Sequence, residues 1–333
     1  MEIKGNRFLV IGGAGFIGSH LVEALAREGA AEVRIFDNFS RGRLENLTEA
    51  LRLPNVNVFP VGGDILHKDL LREGMKEMDG VFHLAALWLL HCWQYPRSAF
   101  EVNVSGMFNV LEAMMETGVK RLVFSSSASV YGDAVQEPMG EDHPFNNTTF
   151  YGATKIAGEQ MARALYHRYR GTDKHFDYVG LRYMNVYGPR QDYKGAYIAV
   201  IMKILDSLDK GQAPVVYGDG NQCYDFIYVS DCARANILAM EADTTDSFYN
   251  IGTGKKTTIK QLAELILKLT GSNQSIRYEP AGMTFVRNRI GSTQKAKSEL
   301  GFKSEVPLPE GLKQLIQWRC CQRKKATEDP IVS

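Results

Sequence analysis

Residues 8–18 read FLVIGGAGFIG, and this stretch decides the fold of the chain. Its first four residues are apolar and predict a short buried strand. Gly12, Gly15 and Gly18 then allow a tight turn that brings backbone N–H groups to the positive end of a following helix, where a pyrophosphate can bind. The same glycines are compatible with an ordinary tight connection between a strand and a helix that binds no ligand. The residues after the next strands are needed to distinguish this from a pyrophosphate site.

Acidic side chains follow the next two apolar runs. Asp37 ends the second run, where its carboxylate can accept both hydroxyls of an adenosine ribose and would repel a 2′-phosphate. Asp64, followed by Ile65, ends the third run and is expected either to meet the adenine amino group or to be an ordinary loop residue. The pattern predicts a dinucleotide site and favours NAD over NADP, although an arginine folded over the ribose would weaken that preference.

Short apolar runs alternate with helical patterns along the first half of the chain. This alternation is typical of a parallel sheet with helices on both faces, so we predict a doubly wound α/β fold of the Rossmann type. The runs lie at residues 8–11, 33–36, 56–61, 80–84, 121–125 and 178–182, and the helical patterns at 19–28, 99–117 and 151–170.

The pattern becomes less regular after residue 190 and predicts a smaller C-terminal α/β portion that binds substrate. We predict domains at residues 1–190 and 191–322, with the chain re-entering the first domain at about 225–250. Helices are expected at 196–210, 230–242, 259–270 and 308–320, and short strands near Val215, Ile227, Tyr249 and Ile276. Residues 323–333 lack periodicity and are expected to form a flexible tail.

Charge and cysteine content exclude several classes of protein. The 39 basic and 38 acidic side chains nearly cancel, so no long-range positive field attracts nucleic acid or an anionic membrane. The five cysteines show no zinc-like spacing, and we predict reduced thiols and no metal site. The apolar run at residues 8–11 is far shorter than the core of a signal peptide, so we expect a cytoplasmic protein.

Three side chains further along the chain predict proton chemistry beside the nucleotide. Tyr151 and Lys155 lie four positions apart on a predicted helix, so they share a face, and we expect the ammonium to approach the phenol and lower its pKa. Ser127 ends the fifth strand and can hold the same substrate oxygen. A Tyr-x-x-x-Lys spacing alone is common in structural helices. Its place in a dinucleotide fold favours removal of a proton while a sugar carbon gives hydride to NAD.

At these residues the chain resembles the extended short-chain dehydrogenase/reductase family, and within it the NAD-dependent nucleotide-sugar epimerases and dehydratases. The resemblance runs from the glycine motif to about residue 320. It includes the segments HLAA at 83–86, NVSG at 103–106, SSSASVYG at 125–132, LRYMNVYGPR at 181–190 and DFIYV at 225–229.

The resemblance implies roles for individual residues. Ser127 and Tyr151 would carry the proton, with Lys155 as the third catalytic residue. With the glycine motif included, the residues assigned to NAD are Gly12, Gly15, Phe16, Ile17, Gly18, Asp37, Asn38, Asp64, Ile65, Leu84, Ala85, Ala86, Asn103, Tyr151 and Lys155. Those assigned to the substrate are Ser127, Tyr151, Met184, Asn185, Tyr224, Arg287 and Arg289.

Departures from the family pattern bear on the reaction. Family 4,6-dehydratases place Asp-Glu directly after the active-site Ser or Thr, whereas this chain has Ala128 and Ser129 there. The resemblance therefore favours a 4-epimerase that acts on a UDP-hexose or UDP-hexuronate through a transient 4-keto sugar. Two other functions stay open: an NAD-dependent nucleotide-sugar 4-dehydrogenase or 4-ketoreductase, and a non-catalytic NAD-sensing regulator.

Further departures concern the nucleotide end of the substrate. Many UDP-sugar epimerases have a diphosphate-binding arginine where this chain has Tyr224, and a second one in a segment that reads AGMTFVRNR here, at 281–289. Arg287 or Arg289 is expected to take over this role, because a guanidinium on a flexible arm can reach a diphosphate from another register. The nucleotide base is left open.

Two apolar regions have alternative interpretations. Trp88 and His91, in the apolar loop at residues 87–96, either shape the sugar pocket or simply pack. Two helices have broadly apolar faces, and because the family commonly dimerises through such a pair, we expect a homodimer. The residues concerned are Phe100, Val104, Phe108, Leu111, Met115, Met161, Leu165 and Tyr169.

Overall fold

The computed structural model describes residues 1–192, 200–281 and 286–328, with side chains up to residue 324. The strands in these ranges are β1 (Arg7–Ile11), β2 (Glu32–Phe36), β3 (Val56–Val58), β4 (Gly80–His83), β5 (Arg121–Ser127), β6 (Asp177–Tyr183), β7 (Asn185–Tyr187), β8 (Val215–Tyr217), β9 (Cys223–Tyr224), β10 (Phe226–Tyr228), β11 (Ser247–Ile251), β12 (Thr257–Thr258), β13 (Arg277–Glu279) and β14 (Asn288–Arg289). The α-helices are α1 (Phe16–Arg27), α2 (Lys68–Met75), α3 (Leu89–Gln94), α4 (Pro96–Phe100), α5 (Gly106–Thr117), α6 (Phe150–Tyr169), α7 (Val200–Asp209), α8 (Val229–Glu241), α9 (Ile259–Thr270), α10 (Gln294–Leu300) and α11 (Leu308–Glu328).

Seven parallel strands form the central sheet, in the order β11-β6-β5-β4-β1-β2-β3. The chain moves outward from β1 to β3 and returns to β4 on the other side of β1. Helices α1 and α8 pack on one face of the sheet, and α2, α5 and α6 cover the other. The doubly wound fold predicted from the sequence is confirmed. A crevice opens at the carboxyl ends of β1 and β4, where open α/β sheets bind their ligands.

The turn between β1 and α1 requires glycine at two positions. Gly12 has a φ of +82°, which residues with a side chain rarely adopt. A methyl group at Gly18 would lie 2.1 Å from the carbonyl oxygen of Gly12. These contacts hold the start of α1 close to the end of β1, as the sequence predicts.

The smaller portion is built from short strands and three helices. Strand β8 pairs with β13, β9 lies between β12 and β14, and β10 pairs with β7. Residues of α7, α9 and α11 enclose an apolar cluster that includes Ile204, Leu262 and Leu315. The chain also returns to the central sheet, since α8 packs against α1 and β11 pairs with β6. This return falls where re-entry was expected, at about 225–250, and the domain boundary near residue 190 stays a prediction.

Several elements differ from the sequence-based expectation. The helix expected at 99–117 is interrupted by a π turn over Glu101–Ser105, where Asn103 hydrogen-bonds to Leu87 and Thr154. Helices α2, α3 and α10 were not predicted, because segments of six to eight residues are too short to show a helical period.

The C-terminal helix is longer than expected. It runs to Glu328, so residues 323–328 are helical and the expected tail does not begin at residue 323. Near the start of this added segment, Arg319 and Arg323 both form ion pairs with Asp209 on α7. Residues 329–333, and residues 196–199 of the helix expected at 196–210, lie outside the described residues.

Among the described helices, none combines the length and the apolar character that crossing a membrane requires.

Candidate active site

A cavity of about 1110 Å³ occupies the crevice at the carboxyl ends of the central strands. It brings together most of the residues that the sequence assigned to cofactor and substrate: Gly12, Gly15, Phe16, Ile17, Gly18, Asp37, Asn38, Asp64, Ile65, Leu84, Ala85, Ala86, Ser127, Tyr151, Lys155, Met184, Asn185 and Arg289. Asn103, Tyr224 and Arg287 do not line it. The cavity therefore joins the glycine turn to the predicted proton-transfer residues.

Main-chain hydrogen bonds fix the carboxylate of Asp37 at the nucleotide end of the cavity. Its two oxygens accept bonds from the N–H groups of Ala14 and Phe39, each at 2.9 Å. Burial raises the pKa of Asp37, and the two amide bonds act in the opposite direction. Nearby, Asp64 accepts a bond from the Asn38 side chain at 3.2 Å. An acceptor is thus held in place at the end of β2, where a ribose would lie.

The residues present fit a dinucleotide. Helix α1 starts at the cavity, and its N-cap residue Gly15 has no side chain to cover the first N–H groups. Uncovered N–H groups at the positive end of a helix are suited to a pyrophosphate. With the acceptor at Asp37 beyond them, the cavity can hold NAD from the glycine turn to Ser127 and Tyr151.

A helix cap positions Tyr151 at the other end of the cavity. Thr149 caps α6, and its hydroxyl oxygen accepts a bond from the Gly152 N–H at 3.1 Å. Ser127 comes from the end of β5, and its hydroxyl oxygen accepts a bond from the Ser129 N–H at 3.1 Å. The Ser127 side chain lies near the phenol of Tyr151 and acts to lower its pKa. Two different elements thus direct their hydroxyl groups to one point.

The lowered phenol pKa that was expected from Lys155 is not found in the structure. The Lys155 ammonium lies 5.7 Å from the Tyr151 ring centre and donates to the main-chain oxygen of Ser125 at 2.8 Å. Burial raises the pKa of Tyr151 to about 12, while Ser127 and the charge of Arg289 act to lower it. Burial also lowers the pKa of Lys155 to about 8. Desolvation therefore dominates the pKa shifts of both side chains.

Asn103 lies behind the cavity wall. Its side-chain oxygen accepts a bond from the Leu87 N–H at 2.7 Å, and its amide group donates to Leu87 O and to Thr154 Oγ1. These bonds tie the loop after β4 to α6. The polar atoms of Asn103 are thus engaged by the protein, and its contact with the cofactor stays a prediction.

Of the two arginines proposed as phosphate ligands, only Arg289 reaches the cavity. It donates to the hydroxyl of Ser129 at 3.3 Å. Arg287 is exposed and does not line the cavity. Tyr224 donates its hydroxyl to the main-chain oxygen of Val286 at 2.7 Å and also lies outside the lining.

Sequence reasoning missed several residues of the cavity wall. Arg41 stacks over the ring of Trp88 at 3.6 Å and pairs with Asp192 at 3.2 Å, so it joins three loops at the cavity mouth. Trp318 and Gln322 on α11 also line the cavity. No local motif marks these residues, since only tertiary packing brings α11 to the sheet. In the apolar loop Trp88 lines the cavity, whereas His91 packs against Trp88 and Tyr95.

Comparisons with known proteins agree with this site. Residues 8–252 match the model of the NAD dependent epimerase/dehydratase family. A Methanocaldococcus jannaschii protein, provisionally named a UDP-glucose 4-epimerase, is 37% identical over 93% of this chain and 97% of its own.

Solved structures show the same fold. The UDP-N-acetylglucosamine 4-epimerase of Methanobrevibacter ruminantium, in complex with UDP-N-acetylmuramic acid, superposes with a TM-score of 0.89 at 34% identity, over 96% of this chain and 99% of its own. The NAD complex of UDP-glucose 4-epimerase from Thermus thermophilus superposes with a TM-score of 0.81 at 32% identity, over 94% of this chain and 99% of its own.

Proposed function

The chain belongs to the NAD dependent epimerase/dehydratase family, and on this basis we propose that it is a 4-epimerase of a UDP-sugar that keeps NAD bound through both half-reactions. UDP is the nucleotide named for the relatives, and the sugar C4 would lie against Tyr151. The observation that carries this proposal is the convergence of Ser127, Tyr151 and Lys155 on the cavity that starts at the glycine turn.

The cavity wall favours epimerisation over elimination of water. Ala128 and Ser129 follow Ser127 directly, and both are buried. The described acidic residues of the lining lie instead on loops after β2, β3 and β7: Asp37, Glu45, Asp64 and Asp192. A dehydratase needs an added acid and base beside the reacting carbon. An epimerase needs only one group that takes a proton and returns it.

Tyr151 is suited to that single proton transfer. As a phenolate, Tyr151 takes the proton of the C4 hydroxyl in the oxidative half-reaction, and the phenol so formed returns it to the same oxygen in the reductive one. Ser127 would hold that oxygen and stabilise negative charge on the phenolate, and the buried Lys155 ammonium lies 5.7 Å from the centre of the phenol ring. Bound NAD supplies reversible hydride exchange with C4. The sugar presents its opposite face between the two half-reactions, which inverts C4.

The reaction is tested with the NAD-loaded protein and a panel of UDP-sugars, followed by proton NMR of the anomeric region. We expect redox-neutral interconversion of two C4 epimers, and Tyr151→Phe should lower the rate by about 100-fold or more, because a general acid-base group contributes that much. Tyr169→Phe, on the same helix but outside the cavity, is the matched control. Stoichiometric accumulation of NADH would instead indicate a dehydrogenase. Full activity of Tyr151→Phe would refute the proposed mechanism.

We also propose a homodimer that forms through α5 and α6. Phe100 and Phe108 are 45% and 40% exposed, and Phe150 at the start of α6 is exposed as well. Leu111, which the sequence assigned to the same face, is fully buried inside the subunit and is removed from the proposed interface. A reducing compartment such as the cytoplasm fits the five cysteines, because all are free and the adjacent Cys320 and Cys321 are exposed.

A further inference from the structure

Two buried side chains of α6 attach this helix to the end of β5. The Lys155 ammonium donates to the main-chain oxygen of Ser125 at 2.8 Å. Glu159, one helical turn further along the same face, accepts a bond from the hydroxyl of Ser126 at 2.6 Å. The next residue of the strand is Ser127, which the proposed mechanism places at the sugar oxygen. A carboxylate is thus held one turn from the ammonium, directly behind the reacting groups.

The carboxylate of Glu159 is fully buried and paired on both oxygens. Arg182 on β6 donates to one oxygen from Nε at 2.9 Å and to the other from a terminal nitrogen at 2.7 Å. The second terminal nitrogen of Arg182 donates to the hydroxyl of Tyr131 at 2.7 Å and to the main-chain oxygen of Glu141 at 2.9 Å. A two-pronged ion pair of this kind lets a carboxylate keep its charge and its position inside a protein.

Glu159 supplies the negative charge among the described groups that act on Lys155. Burial lowers the pKa of Lys155 to about 8, whereas Cys92 on α3 and Glu159 act to raise it. Burial raises the pKa of Cys92 to about 11 and lowers that of His83 on β4 to about 3, so both side chains are uncharged near neutral pH. The phenol of Tyr151 has a pKa of about 12 and is uncharged as well. The ammonium therefore depends on the carboxylate one turn away.

We propose that Glu159 is a positioning residue of the reaction, which acts through Lys155 by keeping the buried amine protonated. The inference rests on the proposed function, since that function makes the ammonium part of the proton-transfer site. Without the carboxylate, the ammonium would keep the uncharged oxygen of Ser125 as its hydrogen-bond acceptor. The guanidinium of Arg182 would also lose its partner and would repel the ammonium. Both changes favour release of the proton from Lys155.

The experiment compares the NAD-loaded wild type with Glu159→Gln, which keeps the shape of the side chain and an acceptor for Ser126 but removes the charge. Lysine labelled with ¹³C at Cε reports the titration of Lys155 by NMR, and Lys155→Met identifies its signal. The pH profile of kcat with a UDP-sugar is measured on the same samples. Asp231→Asn on α8, which removes another buried carboxylate paired with an arginine, Arg234 at 3.1 Å, is the matched control.

In Glu159→Gln we expect the titration of Lys155 to move to lower pH by about one pH unit, because a charge one helical turn away is lost from a buried site. The loss of kcat should follow this change, slight at pH of about 6 and about five-fold at pH of about 8, with KM little altered. Asp231→Asn should lose stability and leave both profiles unchanged. A titration of Lys155 that does not move in folded Glu159→Gln would overturn the inference.

A second variant separates the charge of Glu159 from its part in the fold. Loss of one partner of a buried ion pair is strongly destabilising, whereas loss of both partners is often tolerated. We therefore expect Glu159→Gln/Arg182→Met to unfold at a higher temperature than Glu159→Gln, and still to titrate Lys155 at a lower pH than wild type. If the titration and kcat returned to wild-type values together with the stability, Glu159 would have a structural role alone and the inference would be wrong.

This proposal and the proposed function fail in distinguishable ways. A titration of Lys155 that depends on Glu159, in a protein that epimerises no UDP-sugar, would support the link between the two residues and refute the 4-epimerase. Epimerisation by a wild type whose Lys155 titration is the same in Glu159→Gln would do the reverse.

Discussion

Lys155 shows how a catalytic residue can cost stability. Its side chain is almost completely buried, and its ammonium donates a hydrogen bond to the neutral main-chain oxygen of Ser125. Burial lowers its pKa from 10.5 to about 8, so the folded protein holds the ammonium less favourably than the unfolded chain does. At neutral pH both states are protonated, and this difference costs about 3 kcal/mol of folding free energy.

We predict that Lys155→Met is inactive yet more stable than wild type, by about 1–2 kcal/mol at neutral pH, once the lost hydrogen bond is counted. Between pH of about 8 and 10.5 the unfolded chain binds a proton that the folded protein has released, so wild type gains stability as the pH rises. The difference between the two proteins should therefore shrink toward about pH 10.

Denaturant unfolding at both pH values measures this effect. Lys203→Met, at an exposed position on α7, is the matched control and should show neither the gain nor its pH dependence. A Lys155→Met protein that is less stable than wild type at neutral pH would contradict the argument.

At the scale of the element, helix α6 connects stability to catalysis through its first turn. Thr149 caps the helix by accepting from the Gly152 N–H, and its hydroxyl donates to the Asn147 side chain at 2.7 Å. Tyr151 belongs to the same turn. Loss of the cap is therefore expected to destabilise the helix and to make the position of the Tyr151 side chain less well fixed.

We predict that Thr149→Ala costs about 1 kcal/mol of stability and also lowers kcat, by about 10-fold or more, because a small misplacement of a catalytic group is expensive. Helix α9 provides the control, since Thr258 caps it in the same way through the Gln261 N–H at 3.1 Å. Thr258→Ala should cost a similar free energy and leave kcat unchanged. Equal kcat values for the two variants would show that the α6 cap has no effect on Tyr151.

Elements with strong local signals were predictable from the sequence, and those fixed by tertiary contacts were not. The alternation of apolar runs and the turn at Gly12 and Gly18 predicted the sheet and its first helix, because local sterics determine them. The π turn at Glu101–Ser105 depends on Asn103 meeting Leu87 and Thr154, which are distant along the chain.

The same distinction applies to the site. The spacing of Tyr151 and Lys155 predicted that they share a helix face, yet it gave no measure of how far burial would change their pKa values. The sequence alone did not show which of the two arginines, Arg287 or Arg289, lines the cavity. Only the pairing of β14 with β9 decides that Arg289 faces the cavity.

At the scale of the whole molecule, the apolar residues outside the core indicate where a second copy would bind. Phe100, Phe108 and Phe150 are exposed on the side of the sheet that α5 and α6 cover. On the same helices Met115, Met161 and Leu165 are only partly buried. Exposed apolar side chains on neighbouring helices often mark a contact with another protein. Pairing α5 and α6 with their copies in a second subunit would bury these side chains in a four-helix contact.

We predict that wild type has twice the mass of the chain in solution and that Phe108→Asp is a monomer. A carboxylate at this position would be buried twice in a symmetric contact and would leave two unpaired charges there. Light scattering after gel filtration measures the mass. Tyr278→Asp, an equally exposed aromatic position on β13, should remain dimeric. Because Phe108 does not line the cavity, the Phe108→Asp monomer should still bind NAD, which separates loss of the contact from loss of the fold. A wild type that is monomeric at every concentration would rule out this interface.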